Sequence, residues 1–227
     1  MEFKINKHII RIYYKDSTKK NLPVILLNTF EDEGQRVWDK CQEINCNDFI
    51  LVSISNIDWN KEMSPWKCPP LFKGDEGYFG EADEFLKEIE DDILPKSESY
   101  IKNELHKDIE YLVLAGYSLA GLFALYTSFN TNLFTRIICV SASFWYPNFV
   151  NYVKNNEISN RVSRIYFSLG NKEHDTKNIV LKSVLDNTLD IYKHLSSKID
   201  CIYEENMGGH FKDNELRIAK GIKRILS

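Results

Sequence analysis

The stretch YLVLAGYSLAGLFALY, residues 111–126, decides the fold of this chain, because it places a serine between two apolar runs of different period. Its first six residues read as a buried strand, and the residues after Ser118 read as a helix with no loop between. Ser118 therefore falls on a sharp turn. Such a turn is strained and needs small residues two positions before and after the serine, where the two backbones approach closely. Gly116 and Ala120 meet that need.

Two roles are open for Ser118 on this pattern. A serine at the start of a helix often caps it with the side-chain hydroxyl. In the nucleophile elbow of a serine hydrolase, a serine at the same place attacks the substrate. The Gly-x-Ser-x-Gly pattern of that elbow is not strictly met, because Ala120 replaces the second glycine and Gly121 follows it. The strand before Ser118 and the helix after it favour the catalytic interpretation.

A catalytic serine needs a base, and the base needs a carboxylate that orients it, in the chain order serine, acid, histidine. Glu173 and Asp175 follow the strand-like run RIYFSLG, and His210 follows the last such run, KIDCIYEE. Open α/β sheets place their chemistry past the C-terminal ends of strands. We predict His210 as the base, because His194 lies in a helical pattern. We predict Glu173 as the acid, because Asp175 is placed to cap the helix that follows.

Seven apolar runs of strand length alternate with helical patterns along the chain. The runs are HIIRIYY, PVILLNTF, FILVSIS, YLVLAGY, RIICVSAS, RIYFSLG and KIDCIYEE. Between most of them, apolar residues recur three and four apart, as at Val37, Cys41 and Ile44. The alternation predicts an α/β fold with a doubly wound, mostly parallel sheet and helices on both faces. No helix separates the first two runs, so we expect them to form an antiparallel hairpin at the sheet edge.

The length of 227 residues favours a single domain over residues 1–227, because α/β domains of this size usually fold as one unit. Residues 55–83 interrupt the alternation of strand and helix patterns, because they contain three prolines and three glycines and show no clear hydrophobic period. Long ordered loops tend to be functional, so we predict an irregular active-site loop there. Its aromatic residues would line a substrate cleft or pack the loop itself. They are Trp59, Trp66, Phe72, Tyr78 and Phe79.

Composition argues against several classes of partner. Lys and Arg number 29 against 33 Asp and Glu, for a net charge of −4, and the basic residues are spread out, which is unlike a nucleic-acid-binding protein. The sequence has no long apolar run for a membrane span and no apolar core of a signal peptide, so we expect a cytoplasmic protein without membrane association. The five cysteines lack Cys-x-x-Cys spacing and are interpreted as free thiols. His174 has no second His/Cys cluster, so we expect no metal site.

Four segments of the chain resemble α/β-hydrolase esterases of the siderophore-esterase and esterase D-like group. They are AGYSLAGLFALY, SASFWYP, YFSLGNKEHDTKN and NMGGHFKD. The similarity extends from about Pro23 to Leu226 and includes GEADEFLKEIEDDILP. The resemblance implies the α/β-hydrolase fold, a triad of Ser118, Glu173 and His210, and no cofactor.

The resemblance also implies an oxyanion hole, the group of donors that binds the negative oxygen of the reaction intermediate. One donor is the backbone N–H of Leu119. The other comes from a residue after VILLN, and matching NTF to the usual His-Gly-x or Asp-Gly-x turn puts it at Phe30. Thr29 stands where that turn has glycine. A core position for Phe30 is the alternative.

These observations predict a serine hydrolase that cleaves small-molecule carboxylic esters through an acyl-enzyme, with Trp59, Trp66 and Trp145 as substrate-binding residues. A catalytically inert binding module on the same scaffold is an alternative, because fold does not determine function. An acyltransferase or a peptidase would use the same three residues. The identity of the ester is open, and residues 55–83 carry no dense basic cluster for a strongly anionic ligand.

Overall fold

The computed structural model describes residues 1–71, 74 and 76–227. The strands are β1 (Glu2–Ile5), β2 (His8–Tyr14), β3 (Asn21–Asn28), β4 (Ile50–Ser55), β5 (Lys67–Cys68), β6 (Tyr78–Phe79), β7 (Asp108–Tyr117), β8 (Arg136–Val140), β9 (Arg164–Gly170) and β10 (Asp200–Asn206). The helices are α1 (Gly34–Glu43), α2 (Trp59–Glu62), α3 (Ala82–Glu88), α4 (Leu94–Asn103), α5 (Leu119–Thr127), α6 (Phe149–Asn155), α7 (Ile179–Lys182), α8 (Val184–Leu195) and α9 (Asn214–Leu226). A π-helical turn, Ile89–Ile93, joins α3 to α4.

Most of the described strands form one sheet in the order β1-β2-β4-β3-β7-β8-β9-β10. Neighbours from β4 to β10 pair in parallel, whereas β2 is antiparallel to both β1 and β4. The predicted mostly parallel sheet is therefore confirmed.

The prediction that β2 and β3 form an antiparallel hairpin is wrong. β2 pairs with β4, and β1, which the sequence did not predict, forms the edge. Seven of the eight residues of β3 are buried, so this strand needs neighbours on both sides, and β4 and β7 supply them. In β2, buried residues alternate with partly buried ones, which suits a position near the sheet edge.

The central strands send alternate side chains into two cores, because successive residues of a strand point to opposite faces. In β3, Val24 and Leu26 join the core beneath α3 to α6 and α8, whereas Ile25 and Leu27 join the core beneath α1 and α9. Burial on both faces explains why these strands read as continuous apolar runs. Of the helices in the described residues, none is long and apolar enough to cross a membrane.

The segment of residues 55–83, predicted as an irregular loop, contains short regular elements. After β4 the chain forms α2 and then the two strands of an antiparallel pair, β5 and β6, before α3 begins. α2 carries Trp59 towards the C-terminal edge of the main sheet. Phe72, one of the predicted cleft residues, lies outside the described residues.

Candidate active site

Ser118 occupies the turn between β7 and α5 with a φ of 59° and a ψ of −123°. A positive φ is uncommon for a residue with a side chain and must be held by its surroundings. The Ser118 N–H donates to the Val140 carbonyl at 3.1 Å, and the Ser118 carbonyl accepts from the N–H groups of Gly121 and Leu122. The Ser118 hydroxyl makes no capping hydrogen bond to the helix. The backbone thus forms the helix start while the side chain is left for other contacts.

Small residues around Ser118 allow the strand and the helix to approach, as the sequence predicts. A β-carbon at Gly116 would lie 2.1 Å from the carbonyl oxygen of Ala120, a distance that atoms cannot adopt. A β-carbon on Gly121 would lie 2.9 Å from that of Ala142. Ala120 itself is fully buried. A larger residue at these positions would push α5 away from β7 and move the serine.

The side chains of Ser118, His210 and Glu173 are hydrogen-bonded in series. His210 Nε2 lies 3.1 Å from Ser118 Oγ, and His210 Nδ1 lies 2.7 Å from Glu173 Oε2. Ser118 follows β7, Glu173 follows β9 and His210 follows β10, so three parallel strands deliver them to the same edge of the sheet. Ser143 Oγ also lies 3.2 Å from Ser118 Oγ. Positions distant in sequence thus meet in the order that a serine nucleophile, a base and an acid require.

Glu173 is buried and receives several hydrogen bonds. Its Oε1 atom accepts from the Gly170 N–H at 2.6 Å, from Ser141 Oγ at 2.7 Å and from Arg217 Nη1 at 2.9 Å. Burial by itself raises the pKa of a carboxyl group. The pKa of this carboxyl is nonetheless lowered, because the hydrogen bond and charge of His210, with the hydrogen bonds from Ser141 and the backbone, outweigh burial. The carboxylate stays ionised and can stabilise an imidazolium beside it.

Arg217 holds the Glu173 carboxylate in place and was not identified from the sequence. Its side chain is 1% exposed, and its Nη2 atom donates to the carbonyls of Met207 at 3.1 Å and Gly209 at 2.9 Å. One guanidinium therefore ties Glu173 to the loop that carries His210. Arg217 lies on the buried face of α9. A charged residue on the apolar face of an amphipathic helix is the sequence signal that could have found it.

Asp175 does not cap the helix that follows it, so the predicted capping role is wrong. α7 begins at Ile179, and the Asn178 side chain accepts from the N–H groups of Val180 at 2.9 Å and Leu181 at 3.3 Å. The apolar pattern placed the helix start too early. The Asp175 carboxylate is exposed.

Two cavities open on Ser118 and share Trp59, Asn60, His210 and Phe211. The first cavity measures about 480 Å³ and extends towards the end of β3 and the start of α9, and the second measures about 470 Å³. The further residues that line the second cavity are mostly apolar, and they include Tyr78, Trp145, Leu181 and Val184. The cleft therefore consists of two cavities that meet at Ser118, just as an ester has an acyl group and an alcohol group on either side of the bond that is cleaved.

The three predicted substrate-binding tryptophans separate into two groups. Trp59 lines both cavities and Trp145 lines the second. Trp66 is not among the described residues that line either cavity. Its indole N–H donates to the Pro147 carbonyl at 3.1 Å, and its ring packs on Tyr146 and three further aromatic rings. These contacts give Trp66 a packing role away from the cleft, because its one polar atom is already bound within the protein.

The two residues predicted to supply oxyanion donors lie beside Ser118. Leu119 lines the second cavity and begins α5, where backbone N–H groups have no partner within the helix. Phe30 lines the first cavity and is 60% exposed, so it is not a core residue. The N–H group of Glu31 donates to the Glu33 carboxylate at 3.1 Å.

Comparison with known families and proteins gives a consistent result. The model of the family described as "Putative esterase" matches residues 10–200. Among curated proteins, "Uncharacterized protein YbbA" of Bacillus subtilis is 20% identical over 170 residues, which are 74% of this chain and 67% of that protein.

Solved structures with similar folds cover nearly the whole chain. "Siderophore hydrolase EstB" from Aspergillus nidulans superposes with a TM-score of 0.78 at 16% identity, covering 100% of this chain and 94% of that one. An IroE-like serine hydrolase from Shewanella oneidensis gives a TM-score of 0.73 at 19% identity, covering 96% of this chain and 75% of that one. At this level of identity the likeness shows a common fold.

Proposed function

The chain belongs to the esterase family and is a carboxylic ester hydrolase with the α/β-hydrolase fold, and we propose that it works through Ser118, His210 and Glu173. The observation that carries the proposal is the hydrogen-bonded series from Ser118 Oγ through the His210 ring to Glu173. A buried, ionised carboxylate at one ring nitrogen and a hydroxyl at the other form the arrangement in which an imidazole can remove the hydroxyl proton.

In the proposed reaction, Ser118 Oγ forms a bond to the acyl carbon while its proton passes to His210 Nε2. The tetrahedral intermediate then collapses, the bond from carbon to the alcohol oxygen breaks, and the alcohol leaves with the proton from His210. Water attacks the acyl-enzyme in the second half, again with His210 as base, and releases the acid. Glu173 keeps Nε2 directed at the serine and stabilises the imidazolium.

The negative oxygen of the tetrahedral intermediate needs donors that are already in position. The backbone N–H of Leu119 is proposed as one donor, because it follows the nucleophile at a helix start. The backbone N–H of Phe30 is the second predicted donor.

We propose an ester without strong negative charge as the substrate. Among the described residues that line the two cavities, Arg36 is the one lysine or arginine, and its Nε atom donates to Glu215 at 2.7 Å. Glu31 and Glu33 add negative charge to the first cavity. The solved relatives named for siderophores do not transfer that substrate to this chain, since a strongly anionic ligand would meet carboxylates here.

The test is Ser118→Ala, which removes the nucleophile and fits the turn. We expect kcat on a p-nitrophenyl ester of a short acid to fall by on the order of 10³-fold or more. Ser128→Ala is the matched control, because Ser128 is a buried serine at the other end of α5 and its hydroxyl bonds only the Leu125 carbonyl. It should keep wild-type kcat. A tenth or more of the wild-type rate in Ser118→Ala would refute the proposal.

A further inference from the structure

Asn28 ends β3 with a buried side chain that lacks hydrogen bonds. It is 2% exposed, and neither Nδ2 nor Oδ1 has a partner in the described part of the chain. Buried polar groups are almost always hydrogen-bonded, because an unpaired one loses its contacts with water and gains nothing in return. An unpaired carboxamide at the end of a central strand therefore calls for a partner that binds from outside.

The position of Asn28 indicates where that partner binds. Asn28 lines the first cavity together with Ser118 and His210. In the sheet, β3 lies beside β7, and the register pairs Asn28 with Gly116, which lies two residues before Ser118. The unpaired amide therefore lies in the wall of the cavity on which Ser118 opens, beside the strand that carries the serine.

Two of the backbone donors that follow β3 are already engaged. The Thr29 N–H donates to the Ile54 carbonyl at 2.9 Å. The Glu31 N–H donates to the Glu33 carboxylate at 3.1 Å. Of the first three N–H groups after β3, that of Phe30 is therefore the backbone alternative to the Asn28 amide.

We infer that the Nδ2 group of Asn28 donates a hydrogen bond to the oxyanion that forms when Ser118 attacks the ester, with the Leu119 N–H as the other donor. The inference rests on the proposed function of Ser118. It accounts for the unpaired amide, because a donor that is used only in the transition state has no partner in the free enzyme. Asn28 is then a catalytic residue whose unpaired amide lowers the stability of the free enzyme and increases the rate of ester hydrolysis.

Asn28→Leu and Asn28→Asp test the inference in two ways. Leucine has the size of asparagine without its polar atoms, and aspartate keeps the shape without the N–H donor. Both variants should lower kcat by about 10²- to 10³-fold, as expected for the loss of one oxyanion donor, with KM within threefold of wild type. Asn28→Leu should also raise the melting temperature, because it removes an unpaired buried amide.

Asn206→Leu is the matched control. Asn206 is also a buried asparagine at the end of a strand, its Nδ2 is also unpaired, and it is not among the described residues that line either cavity. This variant should keep kcat within threefold of wild type. Inhibition by phenylboronic acid, which forms a tetrahedral adduct with a catalytic serine, adds a readout that a packing role would not change. Its Ki should rise in the Asn28 variants in parallel with the loss of kcat.

The inference is overturned if both Asn28 variants keep kcat within threefold, or if kcat falls while the Ki of the boronic acid is unchanged. It is also overturned if Glu33→Ala raises kcat while Asn28→Leu has no effect, because a backbone N–H group released from Glu33 would then be the second donor. Activity in Ser118→Ala refutes the proposed function itself and this inference with it, a result that is distinguishable from any outcome in the Asn28 variants.

Discussion

Two histidines in this protein are bound to buried carboxylates, and they differ in what the second ring nitrogen contacts. His8 is fully buried, with Nε2 3.0 Å from Glu62 and Nδ1 2.8 Å from Glu88. The His210 side chain is 27% exposed, with one nitrogen on Glu173 and the other on the Ser118 hydroxyl. One ring lies between two carboxylates, and the other lies between a carboxylate and a neutral hydroxyl at the wall of a cavity.

The difference separates a structural histidine from a proposed catalytic one. Burial lowers the pKa of His8, yet the hydrogen bonds and charges of Glu62 and Glu88 outweigh it and raise that pKa overall. Because each ring nitrogen faces a carboxylate, the raised pKa favours the charged form of the His8 ring, which links β2 to α2 and α3. His210 Nε2 instead faces the Ser118 hydroxyl, whose proton it accepts in the proposed reaction.

Of the variants that test the comparison of His210 with His8, His210→Ala should have the largest effect on kcat. Without the base, kcat on a p-nitrophenyl ester should fall by about 10⁴-fold or more, with little change in melting temperature. His8→Phe should do the reverse, lowering the free energy of unfolding by about 3 kcal/mol, because the Glu62 and Glu88 carboxylates each lose a charged partner. Comparable losses of kcat in the two variants, measured where both are folded, would remove the distinction.

A smaller effect is predicted for the carboxylate that holds the base. Glu173→Gln should lower kcat by about 10³-fold, because a neutral amide neither stabilises the imidazolium nor enforces the tautomer. Asp175→Asn is the matched control and should leave kcat unchanged, since the Asp175 carboxylate is exposed and does not cap α7. If the loss of kcat followed Asp175 and spared Glu173, the assignment of the acid would be wrong.

The charged state of His8 predicts a pH-dependent stability. The pKa of His8 is raised in the folded protein, so its contribution is fully present below the unfolded value of about 6.5 and is lost as pH rises through the folded pKa. The difference in free energy of unfolding between wild type and His8→Phe should therefore be largest at mildly acid pH and shrink at alkaline pH. Denaturant unfolding across that range measures it, and a difference that grew with pH would contradict a charged His8.

The smallest predicted effect separates two tryptophans. Trp59→Ala should raise KM several-fold for an ester with a bulky apolar group and have less effect on a small activated ester, because Trp59 lines both cavities. Trp66→Ala should lower the melting temperature with unchanged kinetics, because its ring packs among aromatic residues. An increase of KM in Trp66→Ala as large as in Trp59→Ala would place both residues at the cleft.

Local patterns were enough to predict much of this fold. Strands β2 and β9 begin and end where the runs HIIRIYY and RIYFSLG do. A strand in a sheet needs apolar and β-branched residues at its buried positions, so a short run of such residues predicts it. The turn at Ser118 was predictable because close backbone approach requires glycine and alanine at fixed offsets.

The meeting of Ser118, Glu173 and His210 was predicted from their positions after strands, but other contacts between distant segments could not be predicted. The pairing of β2 with β4 depends on which strands bury β3, and the position of Trp66 depends on a carbonyl at Pro147. Arg217 is important because the folded chain places Glu173 beside it. Asn28 is important because the folded chain buries its side chain without a hydrogen-bond partner among the described residues. A charge on the apolar face of a helix is a sequence signal for Arg217, but no spacing in the sequence shows which groups Arg217 contacts or that Asn28 is unpaired.

The most direct test of the central claim, that His210 activates Ser118, is labelling with a fluorophosphonate followed by mass measurement of the digested peptides. We expect a single adduct on Ser118 in the wild-type protein, greatly slowed in His210→Ala and formed at the normal rate in folded His8→Phe. The absence of an adduct, or an adduct on Ser143 with ester hydrolysis unimpaired in Ser118→Ala, would contradict the claim.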